Sequence, residues 1–313
     1  MKAQRDTFIS ELYELAKTDK DIILMSVDMG APSLDIWRET LPKQFIAAGI
    51  SEQNAINVAA GLANAGKKVY VYFMAAWVAR CFEQIRYSCA MAKNPITILG
   101  NGVAMGYAPA GPAHEPTEDI AYMRSINHIE IWSPANTSAT KALVHLTVTK
   151  PALRYIRLER NHAKEVEGME FGVNNTINLI KAGLNESKDN ESRIAILSSG
   201  YMLGRSYKAW ESLIETHQIS LYDVSRIKPL PTNQLISILS NYTHVITIEE
   251  QTLDGGFGSA ICEVICDEGL NKKVLRLGLP ERFPFENGTR DQLIDLSGLS
   301  VDNIVNRIKI FLK

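Results

Sequence analysis

Short apolar runs alternate with stretches of helical periodicity along this chain, and that alternation constrains its fold more than any other feature. The runs in the first half that predict buried strands are DIILMSV, KVYVYF, PITILG, IEIWS and ALRYIR. The runs nearer the carboxyl end are IAILSSG, ISLYDV, HVITIEE and KVLRLGL. Helical stretches such as NAINVAAGLANA and EQIRYSCAMA lie between them. Strands that alternate with helices favour a parallel sheet covered on both faces, so the predicted fold class is α/β.

A polar stretch with little periodicity, from Leu158 to Arg193, separates the two sets of runs. A chain of 313 residues, 46% of them hydrophobic, is long enough to form two cores. We therefore predict two parallel-sheet domains, residues 1–160 and 193–313, joined by a linker over residues 161–192.

The charge balance gives no electrostatic argument for a nucleic acid or a membrane as a partner. Lysine and arginine total 33 against 35 acidic residues, a net charge of -2. The first residues, MKAQRDTFISELYELAKTDK, have an amphipathic helical pattern without the apolar centre of a secretory signal, and no later apolar run is long enough to span a bilayer. We expect a cytoplasmic protein.

The four cysteines all lie in apolar helical stretches, where a cysteine is usually a small buried hydrophobe. Cys262 and Cys266 would share a helix face, but no histidine or further cysteine pair accompanies them, so no metal site is predicted in this chain. The other two cysteines are Cys81 and Cys89.

The stretch EEQTLDGGFGSAICEVI has the order of strand, glycine turn and helix that is able to hold a phosphate on helix N-terminal amides. The full dinucleotide-binding spacing is missing, and glycines at such a turn also allow close packing of helix on sheet. We favour the packing interpretation.

The long loop NGVAMGYAPAGPAHEPTEDI follows a predicted strand and contains His114. Open α/β sheets bind ligands at the carboxyl ends of their strands, so His114 is a candidate ligand-binding residue, although the spacing fits a solvated surface histidine equally well. The other histidines are assigned structural or surface roles: His128, His145, His162, His217 and His244.

Glu52 is the one acidic residue in AAGISEQNAINVAAGLANAG, where a turn gives way to an alanine-rich helix. A carboxylate at a helix start is favoured by the helix dipole, and by itself Glu52 fits that role.

The order of the quoted stretches resembles the transketolase family, including the deoxyxylulose-phosphate synthases. AGISEQ, GPAHEPTEDIAYMRSINHIEIWSPAN and PALRYIR resemble its pyrimidine-binding domain, and DVSRIKPL, ITIEEQTLDGGFGSAICEVI and LGLPERF resemble its C-terminal domain. The resemblance spans nearly the whole chain.

The resemblance implies thiamine diphosphate as cofactor and gives Glu52 a role. The family glutamate of G-I-x-E-Q hydrogen-bonds a pyrimidine ring nitrogen and so favours the imino tautomer, which takes the thiazolium proton. A proton shared in this way is best kept from water, which is a physical reason for a lone acid among alanines. Matching through EQIR places Met74, Trp77 and Arg80 against the pyrimidine, with Arg80 resembling the arginine of the synthases; without the resemblance, Trp77 is typical of a core residue.

The same resemblance assigns two substrate residues. His114 of GPAHEP matches the histidine of G-P-T-H-Q-P, which contacts substrate oxygens and assists proton transfer. Arg157, the second arginine of RYIR, matches an arginine that holds a sugar phosphate, although a surface arginine at a strand end remains an alternative.

The family's G-D-G motif, which binds diphosphate through a magnesium ion, does not occur in this sequence. The chain also begins with the helix that would open the pyrimidine-binding domain. We therefore expect the C-terminal subunit of a split transketolase-like enzyme that transfers a two-carbon ketol unit from a ketose to an aldehyde. A separate subunit would supply the Mg²⁺ and diphosphate sites, in a heterotetramer with two copies of each. The alternatives are the beta subunit of a 2-oxo acid dehydrogenase, or a non-catalytic subunit that has kept the fold.

The sequence departs from the family on the side of the donor sugar. Ala110 stands where the family carries the aspartate of D-G-x-T-H, Ala113 replaces its threonine, and Gly102 replaces a further histidine of ordinary transketolases. A pocket without these polar partners would leave donor hydroxyls unpaired, so we expect an unusual, deoxy- or nucleotide-linked sugar as substrate.

Overall fold

The computed structural model describes residues 3–160, 176–183 and 193–313, and these residues form two α/β sheets with helices packed on them. The strands are Ile22–Ser26 (β1), Phe45–Ala47 (β2), Lys68–Met74 (β3), Ile96–Asn101 (β4), Glu130–Trp132 (β5), Arg154–Leu158 (β6), Ile177–Lys181 (β7), Arg193–Ser198 (β8), Gln218–Val224 (β9), Arg226–Lys228 (β10), His244–Thr252 (β11) and Lys273–Leu279 (β12). The α-helices are Gln4–Ala16 (α1), Pro32–Thr40 (α2), Glu52–Asn64 (α3), Phe82–Gln84 (α4), Asp119–Arg124 (α5), Thr137–Thr149 (α6), Leu203–Leu213 (α7), Thr232–Leu239 (α8), Phe257–Asp267 (α9), Arg290–Ile294 (α10) and Val301–Phe311 (α11).

The first sheet has seven strands in the order β10-β5-β6-β4-β3-β1-β2. All neighbours are parallel except β10, which runs antiparallel to β5 at the edge. The five strands predicted in this half are confirmed as β1, β3, β4, β5 and β6. Their side chains are buried almost throughout, as expected for a parallel sheet covered on both faces.

The second sheet has five strands in the order β12-β11-β8-β9-β7, and only β7 runs antiparallel to its neighbour. The four predicted strands are confirmed as β8, β9, β11 and β12. Strand β7, Ile177–Lys181, lies inside the stretch assigned to the linker, and that part of the assignment is wrong because these residues pair with β9. Residues 161–175 and 184–192 of the predicted linker lie outside the described residues.

The two domains interlock more closely than the predicted boundaries imply. Strand β10 follows β9 in the sequence, yet it pairs with β5 as the edge of the first sheet. The Lys228 side chain at its end donates to the backbone carbonyls of Arg124 and Ile126. One hydrophobic cluster also contains residues of both sheets, among them Val71 and Leu197.

The structure also bears on the predictions about the cysteines and about membrane-spanning segments. Cys81 and Cys89 are buried and Cys262 is half-buried, but Cys266 is exposed, which corrects the prediction that all four are core residues. Within the described ranges, no helix combines the length and the apolar character that crossing a bilayer requires.

Candidate active site

The carboxyl ends of the first sheet's strands carry most of the predicted site residues. Glu52 is the first residue of α3, which begins after β2 and a turn at Gly49, where φ is 68°. The hydroxyl of Ser51 donates back to the carbonyl of Ala48 at 2.7 Å and does not cap the helix. The side chain of Glu52 is 8% exposed and therefore lies almost entirely within the protein.

The carboxylate of Glu52 has very few partners. Its Oε2 lies 3.8 Å from Nη1 of Arg80, whose side chain is 57% exposed. Among the described residues no donor makes a hydrogen bond to this carboxylate. A long ion pair with an exposed partner contributes little stability. Glu52 is therefore a largely buried acid whose carboxylate oxygens are available to accept hydrogen bonds from a ligand.

A short 3₁₀ segment after β3 places two further predicted residues next to Glu52. The segment is Ala75–Cys81, and it buries Ala75, Val78 and Cys81. A 3₁₀-helix repeats every three residues, so this buried row leaves Trp77 and Arg80 on the outer sides. Met74, which is half-buried, ends β3 immediately before the segment.

Contacts between side chains connect Arg80 to the loop histidine. The guanidinium of Arg80 lies 4.8 Å from the ring centroid of Trp77, a distance typical of a cation–π contact. Trp77 in turn contacts His114 edge to face, with ring centroids 5.4 Å apart. The structure thus brings Glu52, Arg80, Trp77 and His114 into one row, although 62 positions of sequence separate its ends.

His114 ends the second of two short 3₁₀ turns, Ala108–Ala110 and Pro112–His114, which are joined through Gly111 at a φ of 80°. Its Nδ1 is buried and has no hydrogen-bond partner among the described residues. The ring packs on Trp77 and is only partly exposed. These features differ from those of a freely solvated surface histidine.

Tyr107 fills the space beside Gly102, where ordinary transketolases were expected to place a histidine. A Cβ atom at Gly102 would lie 2.0 Å from the Tyr107 ring, and the φ of Gly102 is 71°. The hydroxyl of Tyr107 accepts a hydrogen bond from Nδ2 of Asn101 at 2.8 Å. Only glycine fits at position 102, because the aromatic ring takes the place of a side chain there.

Arg157 is buried, and its guanidinium donates hydrogen bonds to other side chains of the protein. Its Nε donates to Oδ2 of Asp119 at 2.9 Å, and its Nη1 donates to Oγ of Ser133 at 3.2 Å. The same Asp119 oxygen accepts from the hydroxyl of Tyr155 at 2.7 Å. Nη2 of Arg157 is buried and has no partner among the described residues. The structure gives Arg157 a structural ion pair, and its predicted role in holding a phosphate stays a prediction.

Arg160 is a candidate that the sequence reasoning did not identify. It is exposed beyond the end of β6, and its guanidinium lies 4.5 Å from the ring centroid of Tyr107. The motif RLER at a strand's carboxyl end was the available signal, since a cation just beyond such an end faces the ligand edge of an α/β sheet.

The glycine-rich turn before α9 binds a side chain of the protein itself. Oε2 of Glu249 accepts from the amide of Phe257 at 2.6 Å, and Oε1 accepts from the amide of Gly258 at 2.8 Å. Burial raises the pKa of Glu249 to about 7, against the effect of these two amides. A Cβ atom at Gly258 would lie 2.6 Å from Oγ1 of Thr247, so this glycine allows close packing. The packing interpretation of the motif is confirmed.

Two family models match the sequence and together cover most of it. The model described as "Transketolase, pyrimidine binding domain" matches residues 1–165. The model described as "Transketolase, C-terminal domain" matches residues 184–304.

Two curated relatives differ in how much of their length this chain covers. One is a subunit of the apulose-4-phosphate transketolase of Phocaeicola vulgatus, which is 30% identical over 100% of this chain and 98% of that protein. The other is the 1-deoxy-D-xylulose-5-phosphate synthase of Dictyoglomus thermophilum, which is 29% identical over 97% of this chain but 48% of the synthase. The chain thus spans about half the length of such synthases.

Solved structures share the fold over the whole chain. One described as a split gene transketolase, an inactive beta4 tetramer, superposes with a TM-score of 0.86 at 27% identity, covering 99% of this chain and 98% of that one. A transketolase of Pichia stipitis in complex with sedoheptulose 7-phosphate superposes with a TM-score of 0.78 at 17% identity, with 45% of its chain covered. The second likeness concerns the fold alone.

Proposed function

This chain belongs to the transketolase family, and from that premise we propose that it is the subunit of a split, thiamine-diphosphate-dependent transketolase-like enzyme that binds the pyrimidine side of the cofactor. Both family domains match, one to each half of the chain. The expected reaction is transfer of a two-carbon ketol unit from a ketose to an aldehyde.

The observation that carries the proposal is the open carboxylate of Glu52. A largely buried carboxyl group without hydrogen-bond partners costs free energy, and a ligand that supplies the donor would offset that cost. An aminopyrimidine ring fits, because its ring nitrogen is able to share a proton with one carboxyl oxygen. Glu52 would hold that proton at the ring nitrogen and fix the orientation of the ring.

The residues next to Glu52 have chemistry that suits the same ligand. Trp77 offers a large flat surface, Met74 an adaptable apolar one, and together they would exclude water from the Glu52 carboxyl group. Arg80 lies over Trp77 and near Glu52, at the exposed rim of the row. Bound thiamine diphosphate would supply the carbon nucleophile that attacks the ketose.

His114 would act on the substrate from the other end of the row. Its ring is held against Trp77, and Nδ1 lacks a protein partner among the described residues. A histidine with a free ring nitrogen is able to donate a proton to a substrate oxygen or to accept one from it. We therefore assign to His114 the binding and protonation of the oxygen at the reacting carbon.

The rest of the cofactor site is proposed to come from a partner subunit. The sequence has no G-D-G motif for the magnesium-bound diphosphate, and the described residues contain no group of three or more potential metal ligands. We propose that the partner carries both sites and that the active assembly is a heterotetramer. The related split transketolase that forms a tetramer of one subunit type is described as inactive, which supports a requirement for the partner.

We further propose that the donor is not an ordinary pentose phosphate intermediate. Ala110 and Gly102 lack the polar groups expected in ordinary transketolases, and Tyr107 occupies the space beside Gly102. The Phocaeicola vulgatus relative is named for apulose 4-phosphate, which supports a specialised sugar in this branch. Arg160, exposed above the Tyr107 ring, is our candidate for binding a substrate phosphate, beside the earlier candidate Arg157.

The proposal is tested by calorimetry and activity assays on the chain alone and after reconstitution with a subunit that carries the G-D-G motif. We expect the chain alone to bind thiamine diphosphate weakly and to have no activity. The reconstituted pair should bind it tightly with Mg²⁺ and transfer ketol units between sugar phosphates. Tight Mg²⁺-dependent binding by the chain alone contradicts the split site, and acyl transfer from pyruvate to lipoamide instead would identify a 2-oxo acid dehydrogenase subunit.

A further inference from the structure

The carboxyl-terminal end of strand β11, in the second sheet, faces the loop of the first domain that carries His114. Three consecutive residues here, Glu250, Gln251 and Thr252, all bond to the first domain. The neighbouring Glu249 instead caps α9 within its own domain. In this three-residue segment, hereafter the β11 clamp, only Thr252 is also paired in the second sheet, with Leu279 of β12.

Gln251 directs its whole side chain across the domain boundary. It is 1% exposed, its Nε2 donates to the carbonyl of Pro116 at 3.2 Å, and its Oε1 accepts from the amide of Ile120 at 3.4 Å. Among the described residues, this side chain makes no hydrogen bond within its own domain. Pro116 follows His114 by two positions, so the amide group acts close to the histidine.

The other two residues of the β11 clamp secure the loop at further points. The backbone amide of Thr252 donates to the carbonyl of Thr117 at 2.9 Å. Oε1 of Glu250 accepts from the amide of Met105 at 3.2 Å, near the opposite end of the loop. The loop is thus held from the second domain on both sides of His114.

The β11 clamp is itself firmly fixed. Both carboxylate oxygens of Glu250 bind the guanidinium of Arg290, which also binds Glu159 just after β6 in the first domain. The guanidinium of Arg290 lies 3.7 Å from the ring centroid of Tyr201. A buried and fully hydrogen-bonded network of this kind restricts the positions of its members.

The loop has little internal structure to hold it in place. Between Val103 and Glu115 its backbone hydrogen bonds connect residues three positions apart, as in His114 to Gly111, and so fix only local turns, while the Gly102 amide at its start donates to the Leu158 carbonyl at 2.9 Å. Burial of Val103, Met105 and Ala108 holds the first part of the loop, so hydrogen bonds to an external element matter most for the part that carries His114.

We infer that Gln251, together with Glu250 of the β11 clamp, is a positioning residue for His114, so that the second domain sets the geometry of a catalytic loop in the first. This inference rests on the proposed function only where it calls His114 catalytic. Gln251 does not contact the row of Glu52, Arg80, Trp77 and His114; it acts through the backbone at Pro116 and Ile120.

The test compares Gln251→Leu with a matched variant, Gln44→Leu. Gln44 is 5% exposed, and its Nε2 donates to the carbonyls of Ala16, Asp19 and Ile22 at the amino end of β1, on the opposite edge of the first sheet. Both substitutions remove a buried amide of similar volume. Only Gln251→Leu removes bonds to the His114 loop.

The first measurement is hydrogen–deuterium exchange of residues 103–120 in the purified chain, a range that includes the Ile120 amide. We expect exchange in this loop to accelerate about tenfold in Gln251→Leu, since the bond to the Pro116 carbonyl is lost together with the longer one from the Ile120 amide, which keeps its bond to Asp119. Exchange should stay at the wild-type rate in Gln44→Leu. Equal exchange of the loop in the two variants overturns the inference.

The second measurement is steady-state kinetics of the reconstituted enzyme. Gln251→Leu should lower kcat by about 10- to 100-fold, because a displaced proton-transfer group loses its geometry, and should leave the thiamine diphosphate affinity at the wild-type value. Gln44→Leu should leave both unchanged, and a similar kcat in the two variants overturns the positioning role. A wild-type pair without ketol transfer counts against the proposed function, whereas the exchange result still decides whether Gln251 holds the loop.

Discussion

Each domain places a buried glutamate beside the start of a helix that packs on its sheet, and the two carboxylates differ in their partners. Glu249 in the second domain accepts the amides of Phe257 and Gly258, at 2.6 and 2.8 Å. Glu52 in the first domain has only Arg80, at 3.8 Å. The same residue type in a similar position therefore has its carboxylate hydrogen-bonded by the protein in the second domain and without a hydrogen bond among the described residues in the first.

The difference teaches where to look for function in a fold of this kind. The glycine-rich turn beside Glu249 resembles a phosphate site in sequence, but its amides are already bonded, so the turn stabilises the fold. The single carboxylate at Glu52 is less conspicuous in sequence and has no such internal partner. At Glu52 the open carboxylate and the family motif identify the site together, since Glu115 is also buried and without partners among the described residues.

The largest expected effect comes from Glu52→Gln in the reconstituted enzyme. The amide cannot share the proton that the carboxyl group would hold at the cofactor ring, so kcat should fall about 10³-fold or more. The free energy of unfolding of the chain should change by less than about 0.5 kcal/mol, since no internal hydrogen bond is lost. Turnover is measured by a coupled assay and stability by urea unfolding. Near-normal turnover would return Glu52 to a helix-start charge.

Arg157 and Arg160 extend the comparison to two cations on one strand end. Arg157→Ala removes half of a buried ion pair with Asp119 and should lower the free energy of unfolding by about 3–5 kcal/mol. Arg160→Ala should leave stability unchanged and raise the KM for a phosphorylated substrate about tenfold with little change in kcat. Urea unfolding and steady-state kinetics on both variants are the measurements.

The two arginine variants serve as controls for each other. If Arg157→Ala folds with wild-type stability and has a raised KM, Arg157 binds the substrate phosphate, as the sequence resemblance implies. If neither variant changes KM, the substrate lacks a phosphate at this position.

Glu249→Ala should weaken the second domain and leave the chemistry unchanged. The substitution leaves the amides of Phe257 and Gly258 without an acceptor and removes buried side-chain volume, so the free energy of unfolding should fall by about 2–3 kcal/mol. The kcat per folded molecule should stay at the wild-type value. Urea unfolding together with active-site titration checks both, and a loss below about 0.5 kcal/mol would contradict the capping role.

The smallest expected effect concerns Glu115, a second open carboxyl group. It is 4% exposed, and neither of its oxygens has a hydrogen-bond partner among the described residues. Burial, and next the charge of Glu250, raises the pKa of Glu115 from 4.5 to about 7. The folded chain therefore retains a proton that the unfolded chain has released, so this group lowers stability as the pH rises from 4.5 through 7.

Glu115→Gln removes this pH-dependent loss of stability. It also introduces the glutamine that the G-P-T-H-Q-P motif has at this position. The variant should exceed the wild type in free energy of unfolding by about 1–2 kcal/mol at pH 8, with a smaller difference at pH 5. Urea unfolding at the two pH values measures the effect, since contributions from other acids are common to both proteins. An identical difference at both pH values would mean that Glu115 does not titrate in this range.

Much of the fold follows from local pattern. The nine predicted strands are found because each is a short apolar run, and all but β12, which is buried only over its last three residues, are buried from end to end or nearly so. The three missed strands are β2, β7 and β10, of which two have only three residues and two lie at antiparallel sheet edges. Their pairing comes from distant partners, such as Trp132 for Arg226, which a local pattern does not contain.

The sequence by itself also determined the family and the residues to examine, because motifs such as GISEQ and GPAHEP are contiguous. Only the tertiary structure decided which of those residues are open and which are engaged. It paired Arg157 with Asp119, closed the glycine turn with Glu249, filled the space beside Gly102 with Tyr107, and left Glu52 without a hydrogen bond among the described residues. The physical reason is that a polar group's partners are set by what the fold brings within about 3 Å of it, and those partners are distant in sequence.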